Sequence, residues 1–112
     1  SFSAVFARAG WSVTTAESAE EALELMAQSP PQICLLDLHL PGMDGVELCR
    51  RIRTQWPMAI CQAVTGYTSF FELLECREAG FEDYFTKPVE LATLLEATEQ
   101  ARKRLARWRG PE

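Results

Sequence analysis

The chain reads as an α/β protein with a doubly wound parallel sheet, and three observations predict it. Strand-like and helix-like segments alternate along the 112 residues. The runs 33–38 (Ile-Cys-Leu-Leu-Asp-Leu) and 59–65 (Ala-Ile-Cys-Gln-Ala-Val-Thr) are almost continuously apolar, as parallel strands covered by helices on both faces should be. Polar groups also gather where the strand-like runs give out: Asp37, Thr65, and Lys87 after Asp83-Tyr84-Phe85-Thr86. In an open parallel sheet, ligands and reacting groups collect outside the carboxyl ends of the strands.

Each element has its own justification. Residues 1–10 read as the tail of a helix, with Phe2, Val5, Phe6 and Ala9 at i, i+3, i+4, i+7 spacing and Gly10 suited to a left-handed cap. Residues 11–15 read as a short strand. Ser18, with Glu21 three residues later, has a capping-box pattern. It opens a helix whose inner stripe is Ala22, Leu23, Met26 and Ala27 and which Pro30 and Pro31 end. The strand 33–38 leads into a loop, Leu40-Pro41-Gly42-Met43-Asp44-Gly45, rich in turn formers. A helix over about 46–55 turns Val46, Cys49, Ile52 and Trp56 inward and stops at Pro57. After the strand 59–65, a helix carries Phe70, Leu73, Leu74 and the stem of Arg77 on its inner side, with its cap near Gly80. The last strand is 83–86, and a final helix over about 90–107 buries Leu91, Leu94, Leu95, Thr98, Ala101 and Leu105. With no internal repeat, low-complexity stretch or linker, residues 1–112 are expected to form one domain.

Composition narrows the function. The chain is 47% hydrophobic and 24% charged with net charge −5, a balance that gives no reason to expect nucleic acid or an anionic membrane as partner. No apolar run is long enough to span a bilayer and nothing resembles a signal peptide, so a cytoplasmic location is expected. Cys34, Cys49, Cys61 and Cys76 form no C-x-x-C pair, and two of them lie in apolar strands. Buried reduced thiols are expected over a metal or disulfide role. Arg102, Lys103, Arg104, Arg107 and Arg109 crowd the end of the last helix. There cations complement the negative end of the helix dipole, a reading favoured over a binding patch.

A carboxylate, a hydroxyl and an ammonium converging at strand ends make a small site suited to a phosphoryl group. The motifs Leu35-Leu36-Asp37-Leu38, Leu40-Pro41-Gly42-Met43-Asp44-Gly45, Val64-Thr65-Gly66 and Asp83-Tyr84-Phe85-Thr86-Lys87-Pro88 resemble, in order and separation, a response-regulator receiver domain. The resemblance runs from about Phe2 to Arg107. It implies a flavodoxin-like fold and a phosphorylation-dependent switch in a two-component phosphorelay, with a histidine kinase or phosphotransfer protein as donor and an unidentified output domain or partner. Asp37 would be the phosphoacceptor, and Lys87 a fixed charge on the phosphoryl oxygens. Thr65 would donate to the same oxygens, Gly66 would leave room for the donor, and Tyr84 would be the aromatic that turns inward as Thr65 moves. Lys87-Pro88 would be a cis peptide. Phosphoryl transfer asks mainly for positioning and charge neutralisation, which such groups can supply.

The resemblance also implies Mg²⁺, held by Asp37, the backbone carbonyl of His39 and two acids that end a first, central strand. No acid precedes Glu17, and the sequence starts partway along the helix that follows that strand. The first strand and its acidic pair are therefore expected to be absent from these residues, about 15–20 positions in all, and Mg²⁺ to bind weakly. In the family's strand order 2-1-3-4-5, that strand lies mid-sheet. Either the natural protein supplies that strand beyond these residues, or 11–15 would pair directly with 33–38, or two chains would exchange elements as a homodimer. A degenerate receiver, acting through protein contacts without phosphorylation, is the alternative. A haloacid-dehalogenase-type phosphatase would want a second aspartate two residues after the first, where His39 stands, so the chain is not expected to be an enzyme.

Overall fold

The computed structural model describes residues 2–66 and 69–110. Eight elements follow one another: α1 (Phe2–Arg8), α2 (Ala19–Gln28), β1 (Ile33–Leu36), α3 (Gly45–Gln55), β2 (Ile60–Thr65), α4 (Phe70–Ala79), β3 (Phe81–Thr86) and α5 (Leu91–Arg109). Ser1, expected in the first helix, lies outside the described residues. The strands form one sheet in the order β1-β2-β3, parallel throughout. The expected pairing of the two apolar runs is found, with Ile33 opposite Ile60 and Leu36 opposite Ala63.

Alternation along the strands divides the core between the two faces. Cys34, Leu36, Cys61 and Ala63 point to one side, into a cluster with Ala19 and Met26 of α2, Leu48, Cys49 and Ile52 of α3, and Cys76 and Ala79 of α4. Val64 packs on the other side with Phe6 of α1 and Leu94 of α5, and Ile60 packs there with Ala101 and Leu105. This is the doubly wound arrangement. The starts of α2, α3 and α4 are set by short side chains that accept from backbone N–H groups: Ser18 from Glu21, Asp44 from Glu47 and Ser69 from Glu72. Gly80 closes α4 with φ 107°.

Three expectations need correction. Residues 11–15 form no strand: among the described residues β1 pairs only with β2, so the proposed pairing of 11–15 with 33–38 does not occur. A strand exists only through its ladder. Here Trp11 instead sets its ring edge-on against Phe6, and residues 12–17 are exposed. The inner face of α4 is also different. Phe70 and Phe71 are 71% and 77% exposed, Leu74 and Arg77 are exposed too, and the small Cys76 and Ala79 face the core. Apolar residues occur all round this helix, so periodicity selected no face, and close approach to the sheet favours the small side chains. Ala27, placed on the inner stripe of α2, is exposed.

Candidate functional site

Asp37 follows the last residue of β1, Thr65 is the last residue of β2, and Lys87 follows the last residue of β3. Parallel pairing, with Leu36 opposite Ala63 and, beyond a register shift at Cys61–Gln62, Thr65 opposite Thr86, brings these ends to one edge of the sheet. There the Lys87 Nζ lies 3.0 Å from Asp37 Oδ2, and the His39 backbone N–H donates to Asp37 Oδ1 at 3.0 Å. The Lys87 N–H donates to the Thr65 carbonyl at 2.7 Å, tying the residue after β3 to the end of β2. The Lys87–Pro88 peptide is cis.

The electrostatics favour an ionised Asp37. Partial burial pushes its carboxyl up, but the His39 N–H and the Lys87 ammonium together outweigh that and hold it below the ordinary carboxylate value. The Asp37 side chain is 34% exposed, so solvent and an incoming group both reach it. The Thr65 side chain is fully buried, whereas Tyr84 is 45% exposed at the surface. The structure thus joins Asp37 to Lys87 directly and Thr65 to Lys87 through the backbone, and leaves the Tyr84 ring outside. Beside Gly66 the space that a Cβ would enter is open. The His39 imidazole is exposed, with Nε2 3.4 Å from Glu72 Oε2 of α4.

The loop between β1 and α3 contributes residues that motif reading did not assign. Asp44 caps α3 through the Glu47 N–H at 2.8 Å, and a D-x-x-E spacing could have revealed it. Gly45 donates to the Leu38 carbonyl at 3.0 Å. Glu20 of α2 accepts from the Met43 N–H at 3.2 Å, a contact across 23 positions that no local pattern signals. On the α4 side the loop borders a cleft of about 550 Å³ lined by His39, Asp44, Glu72 and Glu75 above Leu38, Leu40 and Val46.

All four cysteines are free and buried, and none contributes to the strand-end site. Cys34 and Cys61 are register partners on adjacent strands. The Cys49 thiol sits between Cys61 and the Ala79 carbonyl, to which it donates at 3.5 Å. Hydrogen bonding to Cys34 together with burial pushes Cys61 up to about 12, and Cys49 is raised by its bond to Cys61 and by burial. Such thiols are poor nucleophiles and poor metal ligands.

Magnesium takes oxygen ligands in near-octahedral geometry. Among the described residues no group of three or more His, Cys, Asp or Glu side chains is placed to hold a metal ion. Both Asp37 oxygens are engaged, one by His39 and one by Lys87. The donor set present does not make a magnesium cage.

A strand-end aspartate paired with a lysine from the end of β3, two strands away, on a doubly wound parallel sheet, makes an arrangement suited to a phosphoryl group. The chain belongs to the response regulator receiver domain family, whose model matches residues 1–99. It is 33% identical over 103 residues to the response regulator MprA of Mycobacterium sp. (strain KMS), covering 92% of this chain and 45% of that protein. It is 34% identical over 104 residues to the transcriptional regulatory protein CseB of Streptomyces avermitilis, covering 93% and 44%. The CheY-like receiver domain protein of Methanospirillum hungatei superposes with a TM-score of 0.92 at 27% identity, over 95% of this chain and 85% of that one. The chain therefore spans less than half the length of these curated relatives.

Receiver domains are phosphoacceptor switches of two-component systems and generally non-enzymatic. They accept phosphoryl groups from histidine kinases and generally bind Mg²⁺ at the phosphorylation site. Among the described residues no helix is long and apolar enough to cross a membrane.

Proposed function

We propose that Asp37 is the residue phosphorylated in this chain and that Thr65, Gly66, Tyr84 and Lys87 receive and report the phosphoryl group. The observation that carries the reading is the 3.0 Å pair between Lys87 Nζ and Asp37 Oδ2. An Asp37 carboxylate oxygen attacks the phosphorus of a phosphohistidine, carried by a histidine kinase or a phosphotransfer protein. A P–O bond forms to aspartate as the P–N bond breaks, and the departing imidazole nitrogen keeps the bonding pair and takes up a proton. Lys87 balances the charge that arrives. Its ammonium lies 3.0 Å from the carboxylate, which supports a transfer that needs little movement of this charge.

Burial of Thr65 and exposure of Tyr84 support a resting state of the switch. The new acceptor oxygens would draw the Thr65 hydroxyl toward Asp37, and the space it leaves would admit the Tyr84 ring. The altered face around Tyr84 and α4 would then be read by an output domain or a partner protein in the cytoplasm. Residues 1–112 act as a single switching domain without turnover activity of their own. Since Asp37 and the His39 carbonyl supply few of the oxygens that Mg²⁺ requires, these residues bind the ion weakly unless further acids join them.

The test is labelling from a phosphohistidine donor. Asp37→Asn abolishes the label; equal labelling of that variant would remove Asp37 as the site. Thr65→Ala keeps the label but loses the change in partner binding, and unaltered partner binding would refute the proposed readout.

A further inference from the structure

The loop from Asp37 to Gly45 holds the candidate phosphoacceptor from two sides. His39 grips the Asp37 carboxylate through its N–H, and Gly45 is bonded to the Leu38 carbonyl. Between these anchors the loop must cross open surface: Leu40 is half-buried, and Pro41 and Gly42 are exposed. Pro41 has no N–H to give. The middle of the loop is bonded to another element at Met43, whose N–H donates to the Glu20 carboxylate at 3.2 Å. The side-chain oxygen satisfies a backbone N–H that the exposed loop would otherwise leave to water.

The steric fit is as specific as the hydrogen bond. Gly42 has φ +74°, and a Cβ there would stand 3.0 Å from Glu20 Oε1 and 3.4 Å from Oε2. The carboxylate thus rests against the bare Cα of Gly42 while accepting from Met43. Glu20 lies in the first turn of α2, next to Ala19, which is fully buried in the core. The backbone that carries its carboxylate is therefore anchored in the core.

We infer that Glu20 is a positioning residue for phosphoryl transfer, clamping the 40–45 loop so that His39 and Gly45 hold Asp37 at the geometry Lys87 meets. The inference rests on Asp37 being the phosphoacceptor. Its mechanism is the loop bond and the contact with Gly42, not the charge of Glu20 acting on the phosphoryl group. An uncharged side chain of the same length and acceptor capacity should therefore replace it.

The experiment follows labelling of the full natural chain by acetyl phosphate and by a phosphohistidine donor, with wild type, Glu20→Ala and Glu20→Gln. Glu20→Ala slows labelling by roughly 10- to 100-fold, the scale of a small misplacement of a reacting group. Glu20→Gln, whose Oε1 can still accept from Met43, stays within about threefold of wild type. In amide NMR spectra the Met43 and His39 signals move in the alanine variant and stay near their wild-type positions in the glutamine variant. Should Glu20→Ala lose the fold, Glu20→Asp, one methylene too short for the contact, takes its place. Wild-type rates in a folded alanine variant would overturn the proposal, as would equal losses in the alanine and glutamine variants. Failure of the phosphoacceptor reading looks different: wild type is unlabelled, or Asp37→Asn is labelled equally, and the positioning role falls with it.

Discussion

Gly45 and Asp37 are packed so closely that a methyl group on Gly45 would stand 2.1 Å from the Asp37 carbonyl oxygen. The contact brings the first residue of α3 onto the backbone of Asp37, the proposed phosphoacceptor, so helix and site cannot shift independently. It also explains the glycine: the neighbouring atom is backbone and cannot rotate away.

Gly45→Ala should therefore destabilise the protein by about 1–3 kcal/mol, the usual cost of forcing an extra carbon into a packed site. Labelling of Asp37 should fall as well, because relief of the clash displaces the residue proposed to accept the phosphoryl group. Denaturant unfolding and phosphoryl labelling of the same variant check both outcomes.

The Asp37 carboxyl offers a pH test. Its folded pKa is depressed, so its ionised form contributes stability above the unfolded carboxylate value, and the contribution is lost as pH falls through the folded value. Lys87→Met removes one source of the depression. The carboxyl pKa rises in a carbon-detected NMR titration, and the acid limb of the stability profile flattens in the carboxylate range. An unchanged Asp37 titration in Lys87→Met would contradict the pairing.

Gln62 sits on β2 with its side chain fully buried, and neither its amide oxygen nor its nitrogen has a hydrogen-bond partner among the described residues. Its neighbours on that face of the strand, Ile60 and Val64, belong to the apolar layer under α5. Gln62→Leu should raise stability by about 1–3 kcal/mol, the desolvation cost of a polar group left unpaired. A loss of stability in urea unfolding would mean that the amide is satisfied in solution.

The thiols should be silent in the native state. With Cys61 pushed up to about 12 and all four side chains buried, a thiol reagent near neutral pH should modify none of them until denaturant is added. Rapid reaction of Cys49 or Cys61 under native conditions would show that the core between the sheet and α3 opens readily.

Phe71 tests the outward face of α4. At 77% exposure, Phe71→Ser should change stability by no more than about 0.5 kcal/mol, whereas Cys76→Ser on the inner face should cost clearly more. Thermal unfolding of the pair decides which side of the helix is core.

The sequence by itself determined the parallel sheet and the residues at its carboxyl edge. Apolar runs such as 33–38 admit few structures other than doubly covered strands, and the caps at Ser18 and Gly80 are local chemistry that needs no distant partner. Asp37, Thr65 and Lys87 were legible for the same reason: once the strands are parallel, their ends must converge. Tertiary structure decided what depends on a neighbour far along the chain. Residues 11–15 have strand-like composition but no described strand to pair with. On α4 the local pattern is apolar on every side, and only packing against the sheet and α3 selects Cys76 and Ala79. The 3.0 Å grip of Lys87 on Asp37, the contact of Gly45 with the Asp37 carbonyl and the Glu20–Met43 bond join residues far apart in sequence or lie within the fold of a loop. Local propensity carries no information about such distances, which the packing of the helices on the sheet sets.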